Sequence, residues 1–195
     1  GAKIQILDLP GLIKGAAEGK GRGKEILGVI RSCDMVLYVV DPFQDAHFRV
    51  LHRELENAGI RLNQTKPPVF VKRVDKGGID VRTTVEQTHL TSDEMGDIIR
   101  SFGYTSAIVT LRKDTTAEML VDTLAGSRIY SKSVIAVNKI DIASEEEITS
   151  AEKALPQDWP IMRISAFKGT GLDELKDFIY DNLGFMSIFL KPQGQ

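Results

Sequence analysis

The pattern Asp-x-x-Gly at Asp8 to Gly11 is the first element of the sequence that suggests chemistry. It follows an apolar run at residues 2–7, which we interpret as a buried strand. A carboxylate at a strand end can hold Mg²⁺, and a glycine shortly after it lets a backbone N–H approach a phosphate closely. We therefore predict that Asp8, Pro10 and Gly11 bind the phosphates of a nucleotide and that Asp8 also binds Mg²⁺. Alone, this short pattern is more often a turn capped by an Asp.

A second polar motif, Asn138-Lys139-Ile140-Asp141, follows the apolar run at residues 133–137. The Asp141 carboxylate can accept hydrogen bonds from the ring N–H and the exocyclic amine of guanine. Asn138 can bond the opposite edge of the base, and the stem of Lys139 can lie along its face. Adenine would place an acceptor opposite Asp141 and leave a charge unpaired, so the motif favours guanine. The alternative is a turn with an Asp before a helix.

Ser165 and Ala166 follow the last predicted strand, at residues 161–164. A backbone N–H there can meet the 6-oxygen of guanine. Three motifs in this order, each at the carboxyl end of a strand, predict a binding site for GTP or GDP. The sequence contains no Gly-x-x-x-x-Gly-Lys-Ser/Thr loop, which would cradle the phosphates.

Alternating apolar runs and amphipathic segments indicate the fold class. Strands are predicted at residues 2–7, 35–40, 133–137 and 161–164, and helices at residues 43–58, from Ser144 with Glu147, and at residues 175–183. Buried strands that alternate with helices predict an α/β fold with a doubly wound, mostly parallel sheet.

The interval between the two motifs is too long for this scheme alone. Asp8 and Asn138 lie 130 positions apart, whereas two β-α steps need roughly 60 residues. We predict that residues 62–130 form an inserted α+β domain of order ββαβα. Its predicted elements are a hairpin of strands 69–74 and 79–85, helices starting at Thr91 with Glu94 and at Thr115 with Glu118, and a strand at residues 107–111.

Composition fits an ordinary globular chain. The 195 residues are 42% hydrophobic, and their net charge is −2. Cys33 is the single cysteine, which excludes an internal disulfide and suits a reducing compartment. We therefore expect a cytoplasmic location. The sequence has no run of about 18 apolar residues, so we expect no membrane partner.

Two stretches of the sequence are locally basic. Residues 14–24 carry four Lys or Arg against one Glu, and residues 66–85 carry five against two Asp. Such runs are usually a solvated face of a protein. On an inserted domain, a basic stretch is also where contact with RNA or the ribosome is expected.

The glycine-rich run at residues 8–23, Asp-Leu-Pro-Gly-Leu-Ile-Lys-Gly-Ala-Ala-Glu-Gly-Lys-Gly-Arg-Gly, resembles switch II of the Obg-related GTPases. Its Gly-Arg-Gly segment and the long insert resemble the developmentally regulated GTP-binding (DRG) proteins. The resemblance implies a P-loop GTPase domain at residues 1–61 and 131–184, interrupted by a ribosomal-protein-like α/β domain at residues 62–130. Residues 185–195 resemble the start of a β-grasp TGS domain. The chain is thus expected to be truncated at both ends and to lack the first strands and the P-loop.

The resemblance also implies an activity. The intact protein is expected to hydrolyse GTP to GDP and to act in translation with ribosomes or RNA, through the inserted and TGS domains. Many GTPases orient the attacking water with a Gln where this chain has Leu12, so we assign no catalytic residue and expect the backbone, a monovalent cation such as K⁺ or a regulatory protein partner to contribute. The truncated chain itself is expected to be inactive. The alternative is a non-catalytic module that binds RNA or the ribosome and has lost nucleotide chemistry.

Overall fold

The computed structural model describes residues 3–8, 28–44 and 46–185. It divides the chain into two units. The outer unit comprises residues 1–63 and 131–195, and the middle unit comprises residues 64–130. The outer unit is therefore discontinuous in sequence.

Seven strands and five helices lie entirely within the described residues. In chain order they are β1 (Met35–Val40), α1 (Ala46–Asn57), β2 (Ile60–Leu62), β3 (Val69–Arg73), β4 (Ile79–Thr83), α2 (Ser92–Ser101), β5 (Ala107–Leu111), α3 (Ala117–Ala125), β6 (Ile129–Val137), α4 (Glu145–Lys153), β7 (Ile161–Arg163) and α5 (Leu172–Asn182).

The sheet of the outer unit is built around β6, which pairs with β1, β2 and β7. The pairings of β6 with β1 and with β7 are parallel. Residues 134–137 of β6 are completely buried, because side chains on both faces of this strand pack against helices. The prediction of an α/β fold with a parallel sheet is confirmed.

Helices cover both faces of this sheet. On one face, Tyr38 and Ile135 pack against Phe48 of α1 and Ile148 of α4. On the other face, Val134 and Ala136 pack against Leu175 and its neighbours in α5. Because successive strand residues point to opposite faces, the continuous apolar run of β6 supplies both cores.

The strand predicted at residues 2–7 is not present in its described part. Residues 3–8 form neither helix nor strand and are all exposed, including the apolar Ile4 and Ile6. A strand persists only where another strand satisfies its N–H and C=O groups. Among the described residues, β6 is the only strand that pairs with β1, so residues 3–7 have no neighbouring strand in this sheet.

The sheet of the middle unit has the order β3-β5-β4. β5 runs antiparallel to β3 and parallel to β4. The predicted hairpin of β3 and β4 is therefore wrong, because β5 lies between the two strands. Three residues of β5, Ala107, Val109 and Leu111, are completely buried, and this strand gains more burial at the centre of the sheet than at its edge.

The helix starts follow the side chains that cap them. Thr91 and Ser144 accept from the backbone N–H three residues later, and Glu94 and Glu147 complete two of the three predicted capping boxes. The prediction for α3 is wrong by one residue. Its N-cap is Thr116, whereas the Thr115 side chain is buried and donates to the carbonyl of Lys113.

Among the described helices, none has the length and apolar character needed to span a bilayer.

Candidate functional site

The carboxyl ends of β1, β6 and β7 lie at one edge of the outer sheet, and Asn138 links them. Its backbone N–H donates to the carbonyl of Val40 at the end of β1, at 2.9 Å. Its side-chain Oδ1 accepts from the N–H of Ala166, beyond β7, also at 2.9 Å. Asn138 thus ties three strand ends together and holds two predicted site residues side by side.

The turn after Asn138 depends on Lys139, which has a left-handed backbone with φ of 66°. Its carbonyl accepts from the N–H groups of Ile142 and Ala143 at 3.1 and 3.2 Å. Its Nζ lies 2.7 Å from Oδ2 of Asp41, which follows β1. Hydrogen bonding by Lys139, with a further bond from the N–H of Phe43, lowers the pKa of the Asp41 carboxyl.

Asp141 is held by the loop after β7. Its Oδ1 accepts from the hydroxyl of Ser165 at 2.7 Å. Ser165 is completely buried, and its Oγ also accepts from the N–H of Lys168 at 3.0 Å. The hydrogen bond from the Ser165 hydroxyl lowers the pKa of Asp141, with smaller contributions from the Asp141 backbone N–H and the charge of Lys168, so this side chain is a carboxylate at neutral pH.

The loop of residues 165–170 is closed by its own backbone. The N–H of Ser165 donates to the carbonyl of Thr170 at 2.9 Å, and the N–H of Gly169 donates to the carbonyl of Ser165 at 2.8 Å. Gly171 follows with φ of 73°, and a Cβ at this position would clash with the carbonyl oxygen of Arg163. The loop that carries Ala166 is therefore fixed at both ends.

Two large apolar side chains beside these polar groups are exposed. Phe167 is 91% exposed and follows Ala166, and Ile142 is 68% exposed and follows Asp141. Each is next in sequence to a predicted site residue, and the Asp141 carboxylate and the Asn138 amide form an edge that can bind a planar heterocycle. A ring with two adjacent N–H donors suits the carboxylate, and its faces can contact apolar side chains.

The structure brings together five of the eight predicted nucleotide-binding residues, namely Asn138, Lys139, Asp141, Ser165 and Ala166. It does not bring Asp8 to them. The Asp8 side chain is exposed, and its carboxylate makes no hydrogen bond or ion pair with any described residue. The predicted residues Pro10 and Gly11, and Leu12, lie outside the described residues.

Asp41 and Phe167 belong to this edge but were not predicted as site residues. Asp41 stands before Pro42 and directly after the apolar run at residues 35–40, and that position is the sequence feature that could have identified it. The sequence offers no comparable indication for Phe167, because one aromatic residue in a loop says nothing about its exposure.

Comparisons with known proteins show which family the chain resembles. A family model described as the C-terminal region of the MMR_HSR1 domain matches residues 76–185, and one described as a 50S ribosome-binding GTPase matches residues 1–73. A GTP-binding protein of Methanocaldococcus jannaschii is 45% identical over 100% of this chain and 50% of its own length. Developmentally-regulated GTP-binding protein 1 of Xenopus laevis is 41% identical, and Ribosome-interacting GTPase 1 of Saccharomyces cerevisiae is 40% identical; each matches 100% of this chain and 52% of its own length. The chain therefore spans about half the length of these relatives.

Proposed function

The chain belongs to the developmentally regulated GTP-binding proteins of the Obg-related GTPases, and from this premise we propose that Asn138, Asp141, Ser165 and Ala166 bind the base of GTP and GDP. The observation that carries the proposal is the carboxylate of Asp141, which is hydrogen-bonded by Ser165 next to the Asn138 amide. The arrangement places the Asp141 carboxylate, which can only accept hydrogen bonds, beside the Asn138 amide, which can both accept and donate them.

Guanine fits the charge of Asp141. Its ring N–H and exocyclic amine are adjacent donors, and a carboxylate can accept both. The amide of Asn138 can donate to the other side of the ring, while the 6-oxygen competes with Asn138 Oδ1 for the N–H of Ala166. Adenine has an unprotonated ring nitrogen where guanine has the N–H, so it would leave Asp141 without a donor.

Lys139 has a part in the proposal that depends on its stem. The ion pair with Asp41 holds the ammonium group at 2.7 Å, which fixes the direction of the four-carbon chain. An aliphatic stem fixed in this way can lie against one face of the base.

The phosphates are assigned to Asp8, Pro10 and Gly11, with Asp8 as the Mg²⁺ ligand. A carboxylate that is exposed and has no partner among the described residues is a hard oxygen ligand, which suits Mg²⁺. No cluster of three or more His, Cys, Asp or Glu in the described residues could hold a metal ion by itself. This agrees with an ion that is completed by phosphate oxygens and water. When bound, Mg²⁺ would neutralise charge on the phosphates.

For the whole protein we propose hydrolysis of GTP to GDP and phosphate in the cytoplasm, coupled to ribosome or RNA contact. The yeast relative named Ribosome-interacting GTPase 1 supports the ribosome as partner. The proposed organisation is a P-loop GTPase domain at residues 1–61 and 131–184, an inserted domain at residues 62–130 and the start of a TGS domain at residues 185–195. A monovalent cation such as K⁺ or a regulatory protein would assist the reaction, because Leu12 cannot orient water.

A second candidate is a module that binds RNA or the ribosome without hydrolysing GTP. The basic stretch at residues 66–85 favours it. Phosphate release from GTP by the whole protein, with and without ribosomes, distinguishes the two candidates. A rate that equals that of GTP in buffer would favour the second.

The base site is tested by titration of the chain with a fluorescent GDP analogue, followed by competition with unlabelled GDP and ADP. We expect GDP to compete far better than ADP. Asp141→Ala should weaken GDP binding about 10- to 100-fold, because hydrogen bonds to charged groups contribute about 1.5–3 kcal/mol. Asp173→Ala is the matched control, since Asp173 is an exposed carboxylate paired with Lys176 in α5. Equal affinities of the wild type and Asp141→Ala would refute the assignment.

A further inference from the structure

The sheet of the middle unit has one face that its helices leave open. Val69, Val109 and Leu111 point to the other face, where they pack with Met95 of α2 and Leu120 of α3. The alternate residues therefore form the open face. One row across it consists of Phe70, Thr110 and Arg82, and the next consists of Lys72, Ile108 and Asp80.

An exposed aromatic ring lies on this open face, on the edge strand β3. Phe70 is 54% exposed, although burial of a phenyl ring is normally favourable. The guanidinium of Arg112 lies 4.9 Å from the centre of the Phe70 ring. One face of the ring thus contacts a cation, and a large part of its surface stays in solvent.

The charges around Phe70 are mostly positive. Lys72 follows it by two residues on the same strand, and Arg82 lies in the same row. Arg82 pairs with Asp80 at 2.8 Å. The open face thus carries three cationic side chains, Lys72, Arg82 and Arg112, and one carboxylate, that of Asp80. Arg73 does not belong to this surface, because its guanidinium lies 4.3 Å from the ring centre of Tyr104, which packs on the helical side.

We propose that this open face binds single-stranded RNA, with an unpaired base stacked on Phe70 and phosphates near Lys72, Arg82 and Arg112. Exposed aromatic rings on a sheet with surrounding cations are how proteins bind unpaired bases. An acidic peptide would need the cations but not the ring, and a duplex would keep its bases inside. The inference deepens the ribosome or RNA part of the proposed function and does not depend on the nucleotide site.

The test is fluorescence anisotropy of a labelled, short oligouridylate titrated with the full chain. Phe70→Ala should weaken binding about 5- to 100-fold, because stacking of one base contributes about 1–3 kcal/mol. Phe70→Trp should retain the wild-type affinity within a few fold, since it keeps a ring. Phe70→Leu keeps an apolar side chain of similar size but has no ring, and its RNA affinity should fall as much as that of Phe70→Ala. A loss in both variants therefore cannot be explained by a folding defect of the alanine variant alone.

Two controls separate this surface from general attraction. Phe102→Ala removes another exposed aromatic ring of the middle unit, at the end of α2, and should leave RNA affinity unchanged. Lys72→Ala should reduce the slope of log affinity against log salt by about 0.7, the value for one phosphate contact on a single strand. Titration with the fluorescent GDP analogue should be the same for Phe70→Ala and the wild type.

Several results would overturn the proposal. They are equal RNA affinity of Phe70→Ala and the wild type, an equal loss in Phe102→Ala, and equal affinity for an RNA duplex. Polyglutamate and unlabelled oligouridylate are also compared as competitors of the labelled RNA. If both displace it at the same concentration of negative charge, the surface only attracts acidic polymers. If GDP binding fails while RNA binding depends on Phe70, the nucleotide site is wrong and this surface stands.

Discussion

Asp141→Asn should change which base the site prefers. The amide oxygen of Asn can still accept from the Ser165 hydroxyl, which in the wild type donates to Asp141 Oδ1 at 2.7 Å. The other position of the side chain then carries an NH₂ group in place of an acceptor oxygen. Guanine presents donors there, whereas xanthine presents a carbonyl oxygen at ring position 2, so the substitution opposes guanine and favours xanthine.

The magnitude follows from the hydrogen bonds that change. Loss of one hydrogen bond to a charged acceptor contributes about 1.5–3 kcal/mol, and a donor left unpaired against another donor adds about 1–3 kcal/mol. A total of about 2.5–6 kcal/mol corresponds to a loss of GDP affinity of about 70- to 25,000-fold. Binding of XDP should improve by at least about 10-fold, since one mismatch becomes a hydrogen bond.

The assay is competition of GDP and XDP against the fluorescent GDP analogue, and direct calorimetric titration for the variant. Asp173→Asn is the control, because the same chemical change in α5 should alter neither affinity. The reasoning is refuted if Asp141→Asn still prefers GDP over XDP. It is also refuted if both affinities fall equally, because that result would mean a general loss of structure.

Three further predictions concern the stability of the outer unit, measured by urea denaturation. Ile135→Ala should lower the free energy of unfolding by about 2–5 kcal/mol, since Ile135 is completely buried, whereas Ile142→Ala, at a 68% exposed residue, should change it by less than about 0.5 kcal/mol. Gly171→Ala should cost about 1–3 kcal/mol more than Gly169→Ala, because both glycines have positive φ but only the first has a carbonyl oxygen where the Cβ would stand; equal losses would contradict this. The hydrogen bond from Lys139 lowers the pKa of Asp41 below its ordinary value of 3.8. The ion pair of Asp41 with Lys139 therefore contributes to stability above pH 3.8, and this contribution is lost as the pH falls through the lowered pKa. The stability difference between the wild type and Asp41→Asn should therefore shrink on acidification, and a difference that grows would show that the ion pair is not stabilising.

The strands that the sequence located best are those with an unbroken run of apolar or β-branched residues. β1 and β5 have the predicted bounds, since a run of apolar and β-branched residues between polar ends needs no information from elsewhere. β2 was missed, because three residues, Ile-Arg-Leu, carry no period. The pairing of β3 with β4 was predicted because the two strands are close in sequence. In the structure β5 lies between them, and β5 follows β4 only after a helix. Local sequence patterns do not contain information on such distant pairing.

The site was predictable to the extent that its residues follow strands. Asn138, Asp141 and Ser165 come together because parallel strands present their carboxyl ends at one edge. Their hydrogen bonds to one another were not predictable, since each depends on the direction of a side chain across a turn. Asp41 shows the same limit, because its partner Lys139 is 98 positions away in sequence.

Asn63, the last residue of the first segment of the outer unit, has a consequence for how this protein can be altered. Its backbone is left-handed with φ of 53°, and its N–H donates to the carbonyl of Ser131 at 2.9 Å. Its side chain donates to Ser133 Oγ at 2.9 Å and accepts from the Ser133 N–H at 2.7 Å. The two ends of the outer unit between which residues 64–130 are inserted are thus joined by one hydrogen bond. A tight turn could connect these two ends directly. The middle segment could therefore be inserted, replaced or removed without a change in the sheet that carries Asn138 and Asp141.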